Sequence, residues 1–105
     1  VMEKNAVKIG GKKYKIGCNL RTRIMYERMC GKFFGEDMHT FEQVVFFFCS
    51  LMTFNPDFQM EFEEFMDILT KDETPLGAFF KWEVSYFNQV ASLSRGAATD
   101  DKKKG

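Results

Sequence analysis

Apolar and polar positions alternate strictly near the start of the chain and then change period. Val7 and Ile9 alternate with Lys8, and Tyr14 and Ile16 alternate with Lys13 and Lys15, on either side of Gly10-Gly11. A period of two predicts strands, and adjacent glycines supply the positive φ values that a two-residue hairpin turn needs. Residues 7–16 are therefore expected to form a β-hairpin with one apolar face and one lysine face. Two strands alone are marginal in water, so the apolar face requires a helix beneath it. The glycine pair does not read as a phosphate cradle, because no Gly-Lys-Ser/Thr motif and no immediate helix follow it.

Beyond Asn19, a good N-cap, Leu20, Ile24, Met25 and Met29 recur at helical spacing until Gly31, which predicts a first helix over 20–30. Arg23 and Glu27 stand four apart on it, a spacing that allows an ion pair. Thr40 and Gln43 have the spacing of a capping box, and residues 44–54 are almost continuously apolar, interrupted by Ser50 and Thr53 and ended by Asn55-Pro56. A strand over 44–49 fits the composition, yet the cap, the length and the proline favour a helix over 40–54. Apolar nearly all round, that helix must be central or covered by a partner.

Phe58, Phe62, Phe65, Ile68 and Leu69 recur against Glu61, Glu63, Glu64 and Asp67, predicting an amphipathic third helix over 58–70 that is acidic near its start. Thr74-Pro75 offers a cap and a first-turn proline for a fourth helix over 75–93. Its stripe of Leu76, Phe80, Val84, Phe87 and Ala91 is widened by Phe79, Trp82 and Tyr86. From Ser94 onward no large apolar residue remains, and 94–105 is expected to be a disordered tail. The expected fold class is α+β, mainly α: one domain over 7–93, with an N-terminal hairpin packed on a bundle of about four helices.

Composition sharpens this picture at few points. The 105 residues suit one domain, and 13 Phe and 7 Met must fill either a Phe-rich core or an interface. Fifteen basic residues balance fifteen acidic ones, which argues against nucleic acid as a partner, since phosphate binding rests on excess positive charge. The Lys-Lys-Lys run at 102–104 follows two aspartates and is a weak patch. Cys18, Cys30 and Cys49 contain no Cys-x-x-Cys pair and share the chain with one His, so three reduced thiols are expected rather than a zinc site. The longest apolar run, over 44–49, falls far short of the ~20 residues that span a bilayer. The start carries no signal-type leader, and the chain is expected to stay in the cytoplasm.

Chemistry-bearing constellations are sparse. His39 stands alone before a helix start, and no nucleophile sits in a recognisable elbow. The acidic cluster Glu61, Glu63, Glu64, Asp67 lacks the glycine-centred loop of a calcium site and reads as a solvated face. Cys30 lies near a helix C-terminus, where the dipole disfavours a thiolate. Neither enzymatic activity nor a cofactor is expected.

The order of short motifs carries a resemblance. Gly11-Lys12 with Tyr14, then Asn19-Leu20-Arg21, Tyr26-Glu27 and Gly31-Lys32, the apolar run over 44–54, Asn55-Pro56 and Glu63-Glu64-Phe65 follow one another over about residues 7–70. In this the chain resembles the tail assembly chaperones of long-tailed bacteriophages and related prophages. It departs from that pattern at Cys30, at Gln59-Met60 and in the strongly aromatic 75–93 segment. The resemblance implies a non-enzymatic protein of the bacterial host cytoplasm. Such a protein holds the tape measure protein soluble, assists tail tube subunits to polymerise around it, and is absent from the finished virion. Separately, the small core and the lysine-rich hairpin set against an acidic third helix allow a homo-oligomer.

Phe47, Phe79, Trp82 and Tyr86 are the candidate lining of a groove for a helical client. Asn19, Arg21, Tyr26, Glu27 and Gly31 are read as structural. Asn19 caps the first helix, Arg21 pairs with an acidic residue of a neighbouring helix, Tyr26 packs on the hairpin, and Gly31 ends the helix. The competing readings are a structural subunit of a phage or conjugative particle and a protein-binding adaptor from a mobile element.

Overall fold

The computed structural model describes residues 5–104, with side chains through Ala91. The element order is β1 (Ala6–Ile9), β2 (Lys12–Lys15), α1 (Leu20–Cys30), α2 (Thr40–Phe54), α3 (Phe62–Lys71) and α4 (Thr74–Lys104). This is a mostly helical fold with an N-terminal antiparallel hairpin packed against it, as the change of period predicts. Gly10 and Gly11 turn the hairpin at φ 59° and 81°, and Ile9 pairs with Lys12 directly across the turn. Val7, Ile9 and Ile16 are buried, while Lys8, Lys13 and Lys15 face outward.

α2 is the spine. Val45, Phe46, Phe47, Cys49 and Leu51 have no exposed surface, and the rings around them interlock. Phe46 meets Phe34 at 4.9 Å and Phe79 at 5.1 Å, Phe47 stacks on Phe79 at 4.5 Å, and Phe48 meets Phe62 at 5.2 Å. Edge and offset geometries of this kind add to the burial energy of the rings. Much of the phenylalanine surplus is thus spent in the core.

Polar side chains within α2 and at its C-cap hold the rest of the chain to it. Ser50, fully buried, accepts from the Gly17 N–H at 2.8 Å and donates to the Gly17 carbonyl at 2.7 Å. Asn55 does the same for Lys15, accepting from its N–H at 2.9 Å and donating to its carbonyl at 2.8 Å. A helix side chain and the C-cap side chain thereby stand in for a third strand along the chain leaving β2 and satisfy backbone groups that would otherwise be orphaned. Thr53 donates its hydroxyl to the Cys49 carbonyl at 2.7 Å and lies 2.7 Å from the Thr22 hydroxyl, which accepts from the Asn19 N–H at 3.2 Å and contacts the Asn19 side-chain oxygen at 2.9 Å. The Asn19 side chain in turn accepts from the Thr22 N–H at 2.9 Å, which completes the cap of α1.

Several boundaries differ from the sequence reading. The N-cap of α2 is His39 rather than Thr40, and Glu42 instead of Gln43 reaches back to accept the His39 N–H at 2.9 Å. Glu42 is held there by Lys32, 3.0 Å away. α3 begins at Phe62, not near 58, because the Asn55-Pro56-Asp57 turn places Phe58 in the core against Tyr14, Phe48 and Phe65 before the helix starts. α4 runs on to Lys104, past residue 93 where the sequence reading ended it in a tail. Among the described residues no helix is long and apolar enough to cross a membrane.

Candidate functional site: the grooves beside α4

The residues expected to line one client groove separate into two groups. Phe47 and Phe79 are fully buried and stacked on each other, so they belong to the core and present no surface to a partner. The reason is tertiary: α4 lies across α2 and turns these two rings inward. Trp82 and Tyr86 stay half-buried, stacked at 5.2 Å, and line a cleft of about 760 Å³ with Cys18, Phe54, Lys81 and Gln89. Burial pushes the Tyr86 phenol up to about 12, with the adjoining Cys18 thiol adding to the effect.

A second groove, of about 500 Å³, runs along the other side of α4 and is walled by Phe80, Val84, Phe87 and Asn88 together with Gln43 of α2. Phe80 and Val84 lie one turn apart, and Val84 is 61% exposed. Both were read from the sequence as part of a packing stripe, but α4 presents Phe79 and Glu83 to the core and turns these two outward. Glu83 lines the same groove and is only 5% exposed. Burial pushes its carboxyl up to about 7, opposed by a hydrogen bond with Gln43, whose amide, when turned so that its nitrogen faces Glu83, donates to Oε2 at 2.6 Å. Sequence reading missed Glu83. Its signal was its spacing, since it lies four residues after Phe79 and four before Phe87, on an otherwise apolar face.

α1 departs from its predicted orientation in a similar way. Its apolar stripe at Leu20, Ile24 and Met29 is exposed, and Phe33 in the following loop is 74% exposed. Thr22 and Tyr26 supply the buried face. Tyr26 packs edge-on against Phe34 at 5.4 Å and Phe46 at 6.3 Å, not on the hairpin. Its buried hydroxyl has no regular hydrogen-bond partner, and burial together with the neighbouring Cys30 thiol raises its pKa. Glu27 accepts the Phe34 N–H at 3.0 Å and so ties the loop to α1 instead of pairing with Arg23. Gly31 ends α1 at φ 71°, donating to the Glu27 carbonyl at 2.8 Å. Arg21 is exposed and makes no ion pair among the described residues, so the expected tie to a neighbouring helix is not formed.

All three thiols are free, Cys49 buried and Cys18 and Cys30 half-buried. Among the described residues no three His, Cys, Asp or Glu side chains are grouped so as to hold a metal ion. No family model, curated protein or solved structure matches the chain.

Proposed function

We propose that this chain is a non-enzymatic assembly chaperone of the phage or prophage tail type. It acts in the bacterial host cytoplasm, holding the tape measure protein soluble and assisting tail tube subunits to assemble around it. The observation that carries this reading is apolar surface left over after the core is filled. Leu20 and Ile24 form one exposed pair a turn apart on α1, and Phe80 and Val84 form another on α4. Exposed apolar side chains scattered singly are ordinary, whereas a paired row beside a groove, as at Phe80 and Val84, marks an interaction surface. A long helical client presents apolar anchors at matching intervals, the helix-in-groove mode of recognition. The motif order over residues 7–70 is what points to tail assembly among the many uses of such a surface.

A chaperone leaves its client, whereas a structural subunit stays. Mass spectrometry of purified particles from the parent element is expected to find the tape measure and tube proteins without this chain. Its presence at stoichiometric levels in those particles would replace the chaperone reading with that of a structural subunit.

A further inference from the structure

The groove between α4 and the start of α2 has an apolar wall and a charged floor. Phe80, Val84 and Phe87 follow one another at helical spacing along one side, and Gln43 closes the other. Glu83 lies at the floor, 5% exposed, and its hydrogen-bond partner is a neutral amide. No Lys, Arg or His pairs with it among the described residues: Lys12 is taken by Asp57 and Lys32 by Glu42. A carboxylate withdrawn from water and left without a cation is costly, and the upward push on its pKa expresses that cost. Below its raised pKa the group avoids that cost by keeping its proton, and above it the ionised carboxylate favours a cation beside it.

We propose that this groove receives an amphipathic helix of a protein partner whose apolar face carries one lysine or arginine, the cation pairing with Glu83 while its apolar neighbours cover Phe80 and Val84. Two features select this occupant. Charge complementarity demands a cation at the floor, and a wall with helical spacing matches the i, i+3, i+4, i+7 anchors of a helix lying alongside. A metal ion is disfavoured, because one carboxylate and one amide are too few ligands for it. The inference deepens the client-binding reading and rests on it, adding that client segments are recognised by a basic residue embedded among apolar ones.

The test uses the full chain and two labelled amphipathic helical peptides, identical except at one central position of the apolar face, which holds lysine in one and norleucine in the other. Fluorescence anisotropy at pH 8 is expected to show the lysine peptide binding at least about tenfold tighter. Glu83→Gln should abolish that preference, and Val84→Ser, on the exposed wall, should weaken both peptides alike. Equal affinity for the two peptides, failure of both to bind, or a lysine preference that survives in Glu83→Gln would overturn the proposal. Tape measure protein takes no part in this assay. A client kept soluble equally well by Glu83→Gln would therefore remove the groove's role and leave the chaperone reading standing.

Discussion

Replacing Glu83 by Gln is expected to stabilise the protein at alkaline pH and to leave it unchanged in mild acid. The side chain is 5% exposed, and burial moves its carboxyl from an ordinary 4.5 to about 7. The folded state therefore holds the proton more tightly than the unfolded chain does. Between those two values the unfolded state binds fewer protons, so stability falls as pH rises through the window. The contribution is fully present below the unfolded value and lost above the folded one. A shift of this size corresponds to roughly 3 kcal/mol at pH 8, since each pH unit is worth about 1.4 kcal/mol. Glutamine keeps the shape and the contact with Gln43 and never ionises, so it avoids that loss. Asp57, Glu42 and Asp72 are held below the usual carboxylate range by Lys12, Lys32 and Thr74, respectively, and they work in the opposite direction at lower pH. Because both proteins contain them, they cancel in the difference. Urea denaturation followed by circular dichroism, on both proteins at several pH values from 4.5 to 8, reads the effect directly. A difference that stays constant with pH, or a variant less stable than the parent at pH 8, would refute the burial of an ionisable carboxyl at this position.

Other perturbations test the frame that holds the grooves. Asn19→Ala removes the side-chain acceptor of the Thr22 N–H and should cost about 1 kcal/mol in denaturant titration, with a loss near zero contradicting the cap. A Cβ at Gly17 would lie 2.6 Å from the Phe54 ring, so Gly17→Ala should cost about 1–3 kcal/mol. That penalty should shrink in a Phe54→Leu background, and a double-mutant cycle without coupling would show that the ring is not what excludes the methyl. Burial pushes the Cys49 thiol up to about 12 and also raises Cys18 and Cys30. Native protein at pH 8 should therefore leave Cys49 unmodified by a disulfide reagent until denaturant is added, and rapid titration of all three thiols would contradict the packing.

Periodicity carried the sequence reading where burial follows local spacing. The hairpin around Gly10-Gly11, α1 and α2 lie where alternation and apolar runs predict them. Facing was harder, because the direction in which an amphipathic helix turns depends on its neighbours. Leu20 and Ile24 share a helical stripe but point outward, while Thr22 is buried because Asn19 and Thr53 satisfy its hydroxyl. Ser50 and Thr53 looked like interruptions of an apolar helix and Asn55 like its end, yet they hold the hairpin exit and the cap of α1. Their partners lie 31 to 40 residues away, beyond any local pattern. Phe47 and Phe79 could not be sorted from Trp82 and Tyr86 by spacing, since all four are large, apolar and aromatic. Contact between α2 and α4 decides which of them are covered. Glu83 was hidden for the opposite reason, as one charged residue in a helix ordinarily faces water.

The most direct test of client binding is co-expression of this chain with the tape measure protein of its parent element, followed by pull-down and size-exclusion chromatography of the soluble fraction. The account predicts a soluble complex that disappears when this chain is omitted and is weakened by Val84→Ser. A client that remains insoluble while this chain elutes alone or as its own oligomer would contradict it.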